Sequence, residues 1–462
     1  MSRRRKAAPR VAAAAEQVAR APLPTRRGMA ALPLAAIALA YVLFATAHLA
    51  TTPVLSEGSF INAPDEPAHL ACVRLIATER RLPTRADSAT TYQWHQPPLY
   101  YLLAAPLWHL GPLAVRGLGI AFGLAGVLLV WAGARRLAPG DLGAATLAAG
   151  LAALLPMRHA VTSAAGNDAL TEALTTLTLV LALGVMAAGP SPARAAGLGA
   201  SLGAALLAKA SALTLVPIVL AAMLWTRRTG HTWRSVVLGC AVMAAASVAV
   251  SGWWFARNLA LYGAPLPTAA FAEAFAGTQQ ARDWVDRPVR ADLLTGELAP
   301  ADSPLGRSGY TLLIANWTWR TLIGAYTPPA GAPMGVPRFL PPGFYLPHLL
   351  LAAWAAAGLA LLLVRARGRP PAHGWARAVL LAAAALLVLA AFAAFTWTYF
   401  QAQGRYLFPA MLPIAGLAAV GIRATVPEAR RGMVSATILS VLALLSALFL
   451  FGAVIPAYEA SP

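Results

Sequence analysis

Apolar stretches of about 20 residues recur along this chain, each long enough to cross hydrocarbon as an α-helix. The run LPLAAIALAYVLFATAHLA (32–50) is the first of them. A soluble protein of 462 residues has no need of such repeats. Within lipid, a continuous apolar segment satisfies its backbone only as a helix. The rest of the composition agrees: 59% of residues are hydrophobic, 11% are charged and the mean hydropathy is +0.63. The expected fold is an all-α polytopic membrane protein of about 11 transmembrane helices. Their expected positions are 30–51, 114–134, 142–160, 168–188, 194–208, 210–226, 235–255, 344–364, 377–397, 404–422 and 433–454.

The net charge of +19 raises the question of nucleic acid, and its distribution answers it. With the N-terminus inside, the cytoplasmic segments are 1–29, 135–141, 189–194, 227–234, 365–377 and 423–432. They hold 21 of the 36 Lys+Arg and 3 of the 17 Asp+Glu. Lys and Arg retained on the cytoplasmic side set membrane orientation, so the excess is topological and no nucleic-acid partner is expected. The opening MSRRRK also resembles a signal peptide, but the many runs that follow favour an uncleaved first span.

Residues 1–29 read as a disordered basic cytoplasmic tail, 30–455 as the transmembrane domain and 456–462 as a short outer tail. Two long outer loops, 52–113 and 256–343, interrupt the domain on one side. The first is expected to hold interfacial helices: PDEPAHLACVRLIATERRLP has helical spacing, with Asn62 as N-cap. HQPPLYYLLAAPLWHLG is apolar but too short to span comfortably. Cys72 and Cys240 are expected to be free thiols.

The first outer loop contains INAPDEPAHLACVRL (61–75), which sets Asp65, Glu66 and His69 together in a chain poor in charge. Asp65 and His69 are four apart and share a helical face; Glu66 and His69 nearly do. The acids could simply favour the positive end of a helix, could include a general base, or could help hold a divalent cation such as Mg or Mn. Lys209 is, besides Lys6, the sole lysine, and it interrupts an apolar run near the outer face. An ammonium at membrane depth implies an anionic partner, a wet cavity or a snorkelling stem. Asp168 starts a span, while Arg257 and Arg405 sit where spans meet the outer side. They serve either as interface anchors or as forked phosphate ligands.

The ordered set PDEPAHL, HQPPLYYLL, AKASALTLVP, WWFARNLALYGAPL and QGRYLFPAMLPI resembles the GT-C class of integral-membrane glycosyltransferases. The resemblance includes the bacterial relatives of protein mannosyltransferases and aminoarabinose transferases. The resemblance implies a polyprenyl-phosphate sugar donor, an inverting transfer and a cell-envelope glycan, lipid or protein acceptor. It implies the outer face of the bacterial cytoplasmic membrane as the location, and a divalent cation in some members. By the same resemblance Asp65 with Glu66 is catalytic, and Asp168, Lys209, Arg257 and Arg405 lie near donor or metal and bind substrate; His69, from its spacing to Asp65, is expected to help orient these groups or hold a cation. Several members carry a sizeable soluble C-terminal domain, whereas this sequence ends FGAVIPAYEASP soon after its last run, which leaves the acceptor open. A transporter or flippase for a lipid-linked glycan is the alternative that fits the same charges.

Overall fold

A computed structural model describes residues 27–55, 60–327, 337–367 and 373–459. The expected tail at 1–29 lies outside these residues as far as position 26, and the first helix already begins at Arg27. The expected outer tail is helical over Ile455–Glu459, and 460–462 again lie outside the described residues.

The architecture is an all-α membrane bundle with two small two-stranded hairpins in its second outer segment. Among the described residues, nine helices are long and apolar enough to cross a membrane. The expected count of about 11 is not confirmed by length and composition, which give nine, or ten if a bent pair counts as one span, and the reason is local. Leu142–Ala153 and Pro156–Thr162 form one pair bent by 63°, because Pro156 cannot continue the first helix's hydrogen-bond ladder. Pro192–Ala208, expected as a further span, is a helix of only 17 residues.

Lipid offers no hydrophobic drive between helices, so close backbone approach has to hold them together. Gly199 and Gly203 supply it on the Pro192–Ala208 helix. A β-carbon at either position would overlap the carbonyl oxygen of Met243 or Ser247 on the Trp233–Tyr262 helix. Gly358 and Gly421 do the same between Pro342–Ala366 and Met411–Thr425.

Charge is distributed along the bundle axis. Arg405 precedes and Arg423 ends one span, separated by about 27 Å at helical rise. At the Arg423 end, that residue pairs with Asp141 at 2.7 Å and Arg377 donates to the carbonyl of Arg136 at 2.8 Å. The Arg405 end carries the outer segments.

The start of the first outer segment is fixed by a buried ion pair. Arg116 holds Glu66 through two bonds, Nε–Oε1 at 2.7 Å and Nη2–Oε2 at 2.5 Å, with the side chains only 1% and 2% exposed. The same guanidinium donates to the carbonyls of Thr52 and Pro53, and Glu66 accepts from the amide of Ala165. One cation thus ties the end of the first span to the start of the outer helix. Removing it strands a buried carboxylate, at a cost of about 3–5 kcal/mol. Arg116→Met should therefore lower the thermal unfolding midpoint in detergent markedly, and adding Glu66→Leu should recover most of the loss. Equal midpoints for wild type and Arg116→Met would contradict this role.

Candidate active site

The outer helix runs Glu66–Glu79, with Pro67 in its first turn and Asp65 as its N-cap. The expected cap, Asn62, is instead buried; its Oδ1 accepts from the Tyr458 hydroxyl at 2.8 Å and from the Thr327 amide at 3.4 Å. Asp65 has φ 59° and ψ 12°, and its side chain makes no cap bond to its own helix. Aspartate is among the few residues that tolerate this left-handed conformation. The consequence is that the carboxylate turns off the helix axis and, 29% exposed, lines a cavity of about 950 Å³.

Arg405 organises the polar end of that cavity. Its Nη2 donates to Asp65 Oδ2 at 2.6 Å and its Nη1 to Asp168 Oδ2 at 2.9 Å, while Nε is held by Gln403 at 2.7 Å. Lys209 Nζ lies 2.5 Å from Asp168 Oδ1. The Tyr92 hydroxyl donates to Asp65 Oδ1 at 2.8 Å. The result is one chain, Tyr92–Asp65–Arg405–Asp168–Lys209, of two acids and two bases. Tyr406 lies beneath both cations, 5.5 Å from Lys209 Nζ and 5.1 Å from the Arg405 guanidinium.

These neighbours set the protonation states. Burial pushes the Asp65 carboxyl up, but the Arg405 guanidinium, helped by His69 and by the hydrogen bonds from Arg405 and Tyr92, holds it below its ordinary value. Asp65 is therefore a carboxylate at neutral pH. Burial drives the His69 imidazole down to about 4 against the opposing pull of Asp65 and Asp168. Burial and the nearby Asp65 charge raise the Tyr92 phenol, which keeps its proton and remains a donor.

Asp65, His69, Lys209 and Arg405 all line the cavity, with Asp168 joined to the two cations. Two expected residues are placed elsewhere. Glu66, expected beside Asp65 in catalysis, is consumed by Arg116, because adjacent helical residues point about 100° apart. Arg257, expected at the phosphate, lies over the Trp254 ring and donates to the carbonyl of Pro83 at 2.8 Å. Sequence reasoning missed Tyr92, 27 residues from Asp65 with no periodicity to connect them, and Gln403, whose nearness to Arg405 was the available signal.

A divalent cation at these carboxylates would compete with donors they already hold. Both oxygens of Asp65 and both of Asp168 already accept from protein donors. The His69 Nδ1 is 2.9 Å from the Tyr101 hydroxyl. Among the described residues no group of three or more His, Cys, Asp or Glu is arranged to hold a metal.

Neither a protein-family model nor a curated protein sequence matches the chain. Solved structures do. ArnT from Cupriavidus metallidurans bound to undecaprenyl phosphate superimposes with a TM-score of 0.52 at 15% identity, covering 94% of this chain and 74% of that one. The apo oligosaccharyltransferase of Archaeoglobus fulgidus gives the same score and identity over 94% of this chain, which spans 56% of its length. Both are GT-C glycosyltransferases. The chain has the GT-C fold. At this identity the likeness is one of fold, and the GT-C scaffold here places its first outer helix and the Arg405 turn around a single cavity.

The His69 environment yields a direct test. An ordinary histidine half-titrates near about 6.5. Nuclear magnetic resonance of histidine-labelled protein should show His69 neutral at pH 6, with a midpoint near 4. Its folded value lies below its unfolded value, so its contribution to stability is complete above about pH 6.5 and declines as pH falls towards 4. A midpoint near 6.5 would mean that the imidazole is solvated.

Proposed function

We propose that the chain is a membrane glycosyltransferase that moves a sugar from a polyprenyl-phosphate donor to a cell-envelope acceptor, with inversion. The observation that carries this reading is the two-part character of the cavity. Its polar end presents Arg405 and Lys209 next to the Asp65 carboxylate. Its wall includes Val388, Ala391, Phe392 and Phe395, one face of the His373–Thr396 helix, which is long and apolar enough to span a membrane. An apolar wall on a span ending at two cations suits a lipid phosphate.

In the proposed reaction the acceptor hydroxyl oxygen attacks the anomeric carbon from the face opposite the phosphate. The bond between that carbon and the phosphate oxygen breaks, and its electron pair leaves with the phosphate. Asp65 takes the hydroxyl proton as the new glycosidic bond forms. Lys209 and Arg405 stabilise the charge that grows on the leaving phosphate, in a site already shielded from water. Asp168 keeps the two cations positioned, and Tyr92 orients the Asp65 carboxylate through Oδ1. His69, neutral and bonded to Tyr101, adds shape and a polar edge without adding charge.

We also assign the site to the outer face of a bacterial cytoplasmic membrane with the N-terminus inside. The support is the basic loop set around Arg136, Arg377 and Arg423 at the opposite end of the bundle, where positively charged loops stay cytoplasmic.

Asp65→Asn keeps the side chain's shape and one oxygen to accept from Arg405, with its NH2 turned to the Tyr92 hydroxyl oxygen, but cannot accept the proton. The variant should fold and bind donor lipid, while transfer from a polyprenyl-phosphate sugar in proteoliposomes falls at least about 100-fold. Wild-type rates in Asp65→Asn would remove it as the base. Lipid movement across the bilayer with no glycosylated product would replace the reading with a flippase.

A further inference from the structure

One hairpin of the second outer segment ends in a turn that carries two leucines into the open. Val289–Ala291 pairs antiparallel with Leu298–Pro300, and between them Leu293 and Leu294 are 49% and 68% exposed. The turn is tightly bonded. Asp292 Oδ1 accepts from the amides of Leu294 and Thr295 at 2.7 Å and 3.1 Å, and the Gly296 amide donates to the Asp292 carbonyl at 2.7 Å. Gly296, at φ 83°, takes the left-handed conformation that favours glycine. The turn is also pinned to the Gly306–Ile323 helix. Asn316 donates to the Leu293 carbonyl at 2.6 Å, Trp317 to the Gly296 carbonyl at 2.8 Å, and Arg320 to the Leu294 carbonyl. These backbone groups are met by the protein, while the two leucine side chains are left outward.

What Arg320 touches gives the height of this turn against the bilayer. Its guanidinium lies 4.6 Å from the ring centre of Tyr345, in the first turn of the Pro342–Ala366 span. One turn after Arg320 comes Gly324, where a β-carbon would stand 3.1 Å from both Phe344 and Phe449, residues of two different spans. Arg365, in the last turn of Pro342–Ala366, is 20 residues from Tyr345. That separation is about 30 Å at helical rise, the thickness of the hydrocarbon core. Tyr345 therefore stands at the hydrocarbon edge, and the leucine turn, one guanidinium away, stands near the same edge. From there the span presents Leu346, Leu349 and Leu350, all exposed and on one face, to lipid.

We propose that this hairpin turn dips Leu293 and Leu294 into the leaflet on the cavity side, with membrane lipid as the partner of the surface. Leu312, 53% exposed, lines a shallow groove of about 270 Å³ together with Leu293 and extends the apolar patch. Single exposed leucines are ordinary on a protein, but a cluster of three at bilayer height is an interaction site. Arg290, exposed, lines the same groove and is the charge that meets lipid phosphates while its stem lies on apolar chains. The contact reaches further than the turn. Val289 and Leu298 at the hairpin base, and the Trp317 that pins the turn, all line the large cavity. Lipid on the tip thus fixes one cavity wall at the bilayer surface. The anchor does not depend on which chemistry the cavity performs.

The test reads membrane depth from spin labels on the full chain in lipid nanodiscs. Cys240→Ala removes the half-buried thiol, and Cys72 is buried away from the reagent. Single labels are then placed at Leu294→Cys, at Leu349→Cys on the lipid-facing span, and at Arg282→Cys in the same outer segment, where the side chain is 82% exposed. The ratio of collisions with dissolved oxygen to collisions with an aqueous nickel chelate should be several-fold higher at Leu294 than at Arg282 and approach that at Leu349. Should Leu294→Cys fail to fold, Leu293→Cys gives the same reading. Joint replacement by Leu293→Gln and Leu294→Gln should leave the unfolding midpoint in detergent unchanged, because both side chains point outward. In nanodiscs the same variant should exchange the amide hydrogens of 289–300 several-fold faster than wild type. Chelate access at Leu294 equal to that at Arg282 would put the tip in water and overturn the anchor. So would a label shielded from both reagents, the mark of a protein partner, or spin–spin broadening in discs that hold two copies, the mark of a second chain. Exchange unchanged in the double variant would overturn the part the tip plays in holding the cavity wall.

Discussion

The Arg405 guanidinium is the interaction on which the site depends. Its two terminal nitrogens hold Asp65 and Asp168, which come from different parts of the chain, at 2.6 Å and 2.9 Å. Without it, two carboxylates would face a largely desolvated space with only Lys209 between them and mutual repulsion. With it, the first outer helix, the start of the Asp168–Ala188 span and the Gly404–Ala410 turn are joined at one point. The planar fork explains why arginine rather than lysine occupies this position: a point charge cannot serve two carboxylates in fixed directions.

The charge balance also bears on ligand binding. Two acids and two cations make the cluster neutral, so a phosphate bound there would share Arg405 and Lys209 with Asp65 and Asp168. Under the proposed transfer, a guanidinium drawn towards the donor phosphate would loosen its hold on Asp65 and make the carboxylate a better proton acceptor. Glu66 shows the opposite use of a carboxylate. It is bonded to Arg116 and to the Ala165 amide, and so fixes the turn that presents Asp65.

Much of this was legible in the sequence, and the limits have physical causes. Membrane class, helix positions and the gathering of Asp65, His69, Asp168, Lys209 and Arg405 followed from apolar length, charge placement and resemblance. The span count is left unconfirmed where Pro156 bends one segment and where the Pro192–Ala208 helix has only 17 residues, both details of length rather than pattern. Asn62 was misread as a cap because its real partners, Tyr458 and Thr327, are hundreds of residues away. Glu66 and Arg257 have partners outside the Asp65–Arg405 cluster, which the sequence did not reveal because residue type and side of the membrane do not say which way a side chain points. Tyr92 leaves no trace in periodicity at all.

The most direct test is a high-resolution structure of the full chain with a bound polyprenyl-phosphate sugar. The account predicts the phosphate in contact with both Arg405 and Lys209, the lipid chain along the Val388–Phe395 face, and the Asp65 carboxylate opposite the phosphate across the anomeric carbon. A phosphate bound away from Arg405 and Lys209, or an Asp65 carboxylate turned from the sugar, would contradict it.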